Sequence, residues 1–266
     1  MTSYPQRIIC LTEETTETLY LLGCQDRIVG ISGFTVRPME ARLEKPKVST
    51  FLDANFDKIL ALKPDVVFAF SDLQADIVKE LVLRGVQVVA FNQRSVQEIL
   101  RMILMVGGIV GKHAESESLV EKLEHRLGDI RTATNGKPKP KVYFEEWGDP
   151  MISGIRWVSE LIEIAGGEDI FTELREHHNA KNRIVQSEEV IKRNPDVIIG
   201  SWCGRPFKME QVKKREGWEN VAAIQNNRLY EVKSSIILQP GPAALTDGVD
   251  ALARIVRDVG SSVSKK

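Results

Sequence analysis

Residues 56–71 read FDKILALKPDVVFAFS, and residues 187–201 read SEEVIKRNPDVIIGS. In each, a short amphipathic stretch runs into Lys/Asn-Pro-Asp, and a β-branched run follows. Pro64 and Pro195 push the residue before them away from right-handed helical angles, so a helix is expected to stop at each. Asp65 and Asp196 favour the turn. Val66-Val67 and Val197-Ile198-Ile199 then suit a strand buried on both faces of a sheet. A unit repeated once at this distance points to two similar lobes, because solenoid repeats recur every 20–50 residues or so.

A second matched pair supports the duplication. ETLYLLGCQDRI (17–28) and SELIEIAGGEDI (159–170) each read as a helix, a glycine stop and an acidic turn. Around these anchors, strands are expected at 7–12, 28–31, 65–70 and 86–91, and helices at 13–22, 38–43, 56–62, 73–83 and 96–110. In the second half, strands are expected at 141–145, 196–200 and 228–232, with helices at 157–165, 187–192, 218–224 and 243–259. Alternating strands and helices imply parallel α/β sheets. Between the halves, Leu119, Leu123, Leu127 and Ile130 form one apolar stripe over 114–131, with glutamates and a lysine on the other faces. This reads as a long helix crossing between lobes, a peripheral helix of one domain being the competing reading. The expected organisation is an N-terminal α/β lobe (1–112), a linking helix (113–136) and a C-terminal α/β lobe (137–266), with a ligand cleft between the lobes.

The totals fit that architecture. The chain has 266 residues, 42% of them hydrophobic and 27% charged, as in soluble globular proteins. A net charge of −1 offers no basic footprint for nucleic acid. No apolar run approaches the roughly 18 residues of a membrane helix. Three scattered cysteines argue against a disulfide framework. The start, MTSYPQRIICLT, has neither a charged leader region nor an apolar one. As written, the chain is expected in the cytoplasm, or in the periplasm or at the cell surface if a leader has been removed. A monomer is expected.

In parallel α/β sheets, ligands bind beyond the carboxyl ends of the strands. The loops so placed are 12–14, 33–34, 70–72 and 92–93 in the first half, and 145–147, 201–203 and 238–242 in the second. They bring forward Glu14, Phe34, Phe70, Asp72, Asn92, Glu145, Trp147, Trp202 and Gln239 as candidate ligand-binding residues. Trp147 and Trp202, just past predicted strand ends, suit a flat or macrocyclic ligand, unless each packs under its own loop. Strand alternation puts Glu145 on the side of Trp147. There it would meet ligand donors or a cation, or form an ion pair with Arg156 or Lys141. Trp157 and Trp218, at helix starts, read as packing residues. Nucleotide, phosphate, serine-hydrolase and zinc motifs are absent. A metal-site enzyme would have to use Glu145, Cys203 and His177 or His178, but adjacent histidines diverge on a strand and a polar loop is the simpler reading.

The order strand–helix–Gly–Asp–Arg–Ile-Val-Gly, then KVSTF, FDKILALKPDVV, YFEEWGDPMISG and IAGGEDIF, resembles the substrate-binding proteins of ABC importers. Within these it is similar to the cobalamin and ferric-siderophore class over about residues 7–258. The resemblance implies two α/β lobes joined by one stiff helix, with limited opening and closing. It also implies capture of an organic ligand such as cobalamin or another metal chelate, without chemical change and with no resident cofactor. The best-known cobalamin binders carry tryptophans after the third strand and in the VST segment, where this chain has Phe70 and Phe51, and an aromatic near Ile236-Ile237. Phe51 thereby joins the candidates. The resemblance further implies that Asp57 and Glu188, each seven residues before its proline, dock onto arginines of an ABC permease. Helix-dipole stabilisation alone also accounts for acids at these positions. A cytoplasmic sensor, carrier or salvage protein of the same fold is the alternative function.

Overall fold

The computed structural model describes residues 4–263. The chain forms two compact units, each with its own sheet. The first runs to Gln93 and includes Gln97–Leu123 and Pro240–Pro242; the second comprises Arg94–Val96, Glu124–Gln239 and the described residues from Ala243 on.

The first unit holds strands β1 (Ile8–Cys10), β2 (Ile28–Ser32), β3 (Lys47–Ser49), β4 (Val66–Phe70) and β5 (Val88–Phe91). All are parallel, in the order β3-β2-β1-β4-β5. Helices α1 (Glu13–Leu21), α2 (Met39–Glu44), α3 (Phe56–Ala61), α4 (Ala75–Leu83) and α5 (Val96–Val110) follow the strands in turn. Leu22 and Gly23 end α1 as the sequence predicts, with Gly23 at φ +68°. Ile9, Val67, Ile59 and Leu81 lie in one fully buried cluster between sheet and helices. β3 was not foreseen: KVS is too short and too mixed to announce a strand.

Helix α6 (His113–Thr134) follows, and the division between the units falls inside it, after Leu123. Leu123 and Leu127 of its predicted stripe are buried, with Ile130 half-buried.

The second unit differs from the expectation of a parallel sheet. Its strands are β6 (Lys141–Gly148), β7 (Met151–Ser153), β8 (Glu168–Asp169), β9 (Val197–Gly200) and β10 (Leu229–Glu231). The order is β10-β9-β6-β7, with β8 also pairing β6, and β7 runs antiparallel to β6. The sheet is therefore mixed. Gly148–Pro150 turns β6 straight back into β7 as a hairpin, which a helix-per-strand pattern cannot anticipate. Helices α7 (Arg156–Ile164), α8 (Ser187–Arg193), α9 (Met209–Lys213), α10 (Ala222–Gln225), α11 (Ser234–Ile237) and α12 (Val249–Val263) surround it. A π-helical turn at Ala244–Gly248 leads into α12. A Cβ at Gly248 would come within 2.3 Å of the Ile236 carbonyl, so only glycine fits there. Trp218 is wholly buried, its Nε1 donating to Ser187 Oγ at 2.7 Å, and Trp157 donates to the Ile237 carbonyl at 2.8 Å.

The repeated motif does the same work in both units. Lys63 and Asn194, before the prolines, take left-handed angles (φ +45° and +47°) that end α3 and α8. Asp65 Oδ2 accepts from the backbone of Gln6 and Arg7 at 2.7 and 2.8 Å, and Asp65 N donates to Arg7 O at 2.7 Å. Asp196 repeats this on Lys141, with its Oδ2 accepting from Lys141 N at 2.8 Å and its own N–H donating to Lys141 O at 2.8 Å. The turn aspartates thus clamp the amino ends of β1 and β6.

Candidate functional site

At the carboxyl edge of the first sheet, the chain buries polar groups without completing their hydrogen bonds. Beyond β1, Thr12 Oγ1 donates to Glu14 Oε1 at 2.6 Å, and Val36 N donates to Glu13 Oε2 at 2.8 Å. The other oxygens, Glu13 Oε1 and Glu14 Oε2, have no partner among the described residues. The same holds for Thr35 Oγ1 beyond β2, Ser49 Oγ at the end of β3 and Gln93 Oε1 beyond β5. Five buried, unsatisfied oxygens at the ends of four strands of one sheet are far from the usual rule that buried polar atoms are paired. Burial, and secondarily the neighbouring acids, push both Glu13 and Glu14 up to about 7. Pro240–Pro242, expected with the second half, belongs to this edge instead. Gln93 Nε2 donates to Pro240 O at 2.9 Å, and Gly241 lies against Glu14, where a Cβ would come within 2.4 Å of the Glu14 Cβ.

Gln74 organises the edge and was missed by sequence reasoning. Wholly buried, it accepts from Phe70 N at 3.0 Å and donates to the carbonyls of Leu11 and Phe51 at 3.3 and 3.1 Å. Three separate loops converge on one amide, and nothing local in the sequence marks it. Ser71 adopts φ +63°, an uncommon angle for a residue with a side chain. Of the candidates here, Phe34, Asp72 and Asn92 are exposed, Phe51 is half-buried, and Glu14 and Phe70 are buried.

The carboxyl edge of the second sheet is built around Glu145, in a way the sequence did not suggest. Strand β6 runs three residues past Glu145, so Trp147 lies within the strand and pairs with Ile152. The register shifts between Glu145 and Trp147, which breaks the alternation expected to set them on one side. Glu145 is fully buried, and its partner is Arg215 rather than Arg156 or Lys141. The guanidinium meets both carboxylate oxygens, at 2.5 and 2.9 Å. Tyr143 Oη adds a hydrogen bond at 3.1 Å, and Trp202 Nε1 another at 3.0 Å. Burial raises the Tyr143 phenol well above its ordinary value, so the hydroxyl stays a donor. Glu145 thus holds the Trp202 indole through its carboxylate. Arg156 pairs with Glu160 and Glu176.

Trp202 is half-buried, packs edge-to-face on Phe207 at 5.4 Å, and has its six-membered ring against Gly148. Trp147, also half-buried, donates to the Asp149 carbonyl at 2.8 Å and carries the Arg205 guanidinium 5.0 Å above its ring. Behind them, Arg183 is nearly wholly buried and pairs with Glu146 at 2.8 Å. Each tryptophan is held by a hydrogen bond and still partly open, so each offers an aromatic surface in a fixed place. Gln239 is half-buried in this unit. Asp57 and Glu188 are exposed in the first turns of α3 and α8.

The residues of the metal-enzyme reading do not assemble. Glu145 is enclosed, Cys203, His177 and His178 are exposed, and no group of three or more histidine, cysteine or acidic side chains able to hold a metal exists among the described residues. None of the described helices is long and apolar enough to cross a membrane.

This pair of sheets has known relatives. The profile of the periplasmic binding protein family matches residues 8–236, and the chain belongs to that family. The uncharacterized ABC transporter substrate-binding lipoprotein YvrC of Bacillus subtilis is 30% identical over 268 aligned residues, covering 95% of this chain and 80% of that protein. A vitamin B12-binding protein of Vibrio parahaemolyticus is 25% identical over 244 residues, covering 90% and 86%. The solved structure of a possible iron-binding (periplasmic solute-binding) protein from Staphylococcus epidermidis matches with a TM-score of 0.82 at 24% identity, covering 96% of this chain and 99% of that one.

Proposed function

We propose that this protein is the ligand-capturing component of an ABC importer and that it holds a corrinoid or an iron chelate without changing it chemically. The observation that carries the reading is the pair of half-buried tryptophans in the second unit, Trp202 held by the Arg215-paired Glu145 and Trp147 by the Asp149 carbonyl. A macrocycle or planar chelate presents a broad apolar face with polar substituents at its rim, which suits such a surface. Any metal arrives with the ligand, and the protein works as a monomer on the outer side of the membrane. The lipoprotein relative supports that location.

Tryptophan fluorescence titrations with cyanocobalamin, haemin and a ferric siderophore test the reading. Saturable quenching by one of them is expected, with Trp202→Ala weakening it by tenfold or more, the usual scale for an aromatic anchor. Absence of binding to all three would reject the ligand class.

Asp57 and Glu188 are proposed to contact permease arginines, supported by their exposure and their matching places in the repeat. The double reversal Asp57→Lys/Glu188→Lys is expected to abolish ligand uptake by cells carrying the importer while leaving ligand affinity unchanged. Normal uptake by the double variant would leave the two acids as helix-end stabilisers only.

A further inference from the structure

The second unit has a cavity of its own, at the other end of its sheet from Trp202. Helices α6, α7 and α12, with the segment leading into β6, enclose about 440 Å³, within the range of small-molecule pockets, roughly 300–1,000 Å³. The wall is apolar, made by Ile130, Ala133, Pro138, Ala165, Ala253 and Val256. Gly166, at φ +85°, lets α7 end close against α6, where a Cβ would come within 2.6 Å of the Thr134 side chain. Thr134 Oγ1 is turned back onto the Ile130 and Arg131 carbonyls at 3.1 Å, so the wall's hydroxyl is already satisfied.

The lining is cationic as well as apolar. Lys137 and Arg257 line the cavity; Lys137 has no ion pair among the described residues, and Arg257 has only a 3.7 Å contact with Asp258, both side chains largely exposed. An adjoining recess of about 340 Å³ shares Thr134 and Gly166 and adds Arg131 and Lys139. Its one carboxylate, Glu163, is engaged by Arg175 at 2.9 Å. The carbonyl end of α6 accounts for a cation in its last turn, a place Arg131 fills. Lys137 lies three residues past that helix, on the segment to β6.

We propose that this cavity binds a single-chain anionic amphiphile, with the hydrocarbon among the α6 and α12 side chains and the carboxylate at Lys137 and Arg257. The apolar interior favours burial of methylene groups. The cationic side chains favour the head group and exclude a cationic one. The site is separate from the strand-edge site, so the outcomes for the two are independent.

Isothermal titration of the full chain with dodecanoate below its micellar concentration tests the proposal. Saturable one-to-one binding is expected. Lys137→Glu/Arg257→Glu, both exposed substitutions, should weaken it about tenfold, and Ala253→Phe should block it. Dodecyltrimethylammonium should bind at least tenfold more weakly, and Trp202→Ala should leave dodecanoate binding unchanged. Failure of dodecanoate to saturate would overturn the proposal. So would equal binding of the two amphiphiles, or no response to the charge reversal.

Discussion

Replacing Arg215 with alanine is expected to lower the unfolding free energy by about 3–5 kcal/mol, the cost of leaving one member of a buried ion pair unpaired. The mutation would strand the Glu145 carboxylate, which is fully buried and receives Arg215 at 2.5 and 2.9 Å. Tyr143 and Trp202 alone cannot offset its charge. At about 2–4 °C per kcal/mol for a unit of this size, the melting temperature should fall by roughly 10 °C. The apolar double variant Glu145→Leu/Arg215→Met should recover most of that loss, because no charge remains to desolvate. It should still bind ligand poorly, since the Trp202 indole loses its acceptor. Thermal melts and the fluorescence titration read the two effects separately. A double variant no more stable than Arg215→Ala would show that the pair is not what destabilises the single variant.

Raising the pH from about 5 to 8 is expected to destabilise the first unit. Glu13 and Glu14 rise from 4.5 to about 7 in the folded chain, chiefly through burial. Below pH 4.5 both groups are protonated, folded or unfolded, and their favourable contribution is fully present. Between 4.5 and 7 the unfolded chain releases these protons first, so stability declines, and it levels off above 7. At 1.36 kcal/mol per pKa unit, each group accounts for on the order of 3 kcal/mol across this window. Glu17 and Arg37 lie close to Glu13 and act in opposite directions, Glu17 raising its pKa and Arg37 lowering it. Melts should therefore fall between pH 5.5 and 7 and level off above that, and Glu13→Gln/Glu14→Gln should flatten the fall. An unchanged slope in the double variant would place the pH dependence elsewhere.

Much of the fold was legible because its signals are local. The helix expected at 96–110 is found over those residues, and the Pro-Asp turns marked both α3–β4 and α8–β9. The hairpin β6–β7 was not legible. Two adjacent glutamates hid the continuation of β6 beyond residue 145, and with it the turn between paired strands. Position was easier to read than partner. Trp202 follows β9 as counting predicts, Trp147 falls inside β6 and not past its end, and Arg215 reaches Glu145 from 70 residues away. Gln74 and Gly241 likewise act through loops brought together only by the sheet. Such contacts leave no periodic trace, so the sequence offered Arg156 or Lys141 as the ion-pair partner of Glu145 and gave no sign of Arg215 or of the Trp202 indole.

The paired clamp of Asp65 and Asp196 separates alignment from recognition. Each sets its sheet's register at the amino end of a central strand, some five residues from where that chain's chemistry begins. Loops at the far end can then be exchanged without sliding one strand past another, as Ser71 and Trp202 at equivalent places already show. A lineage, or an engineer, can thus rewrite what this scaffold captures while leaving untouched the residues that tell it how to fold.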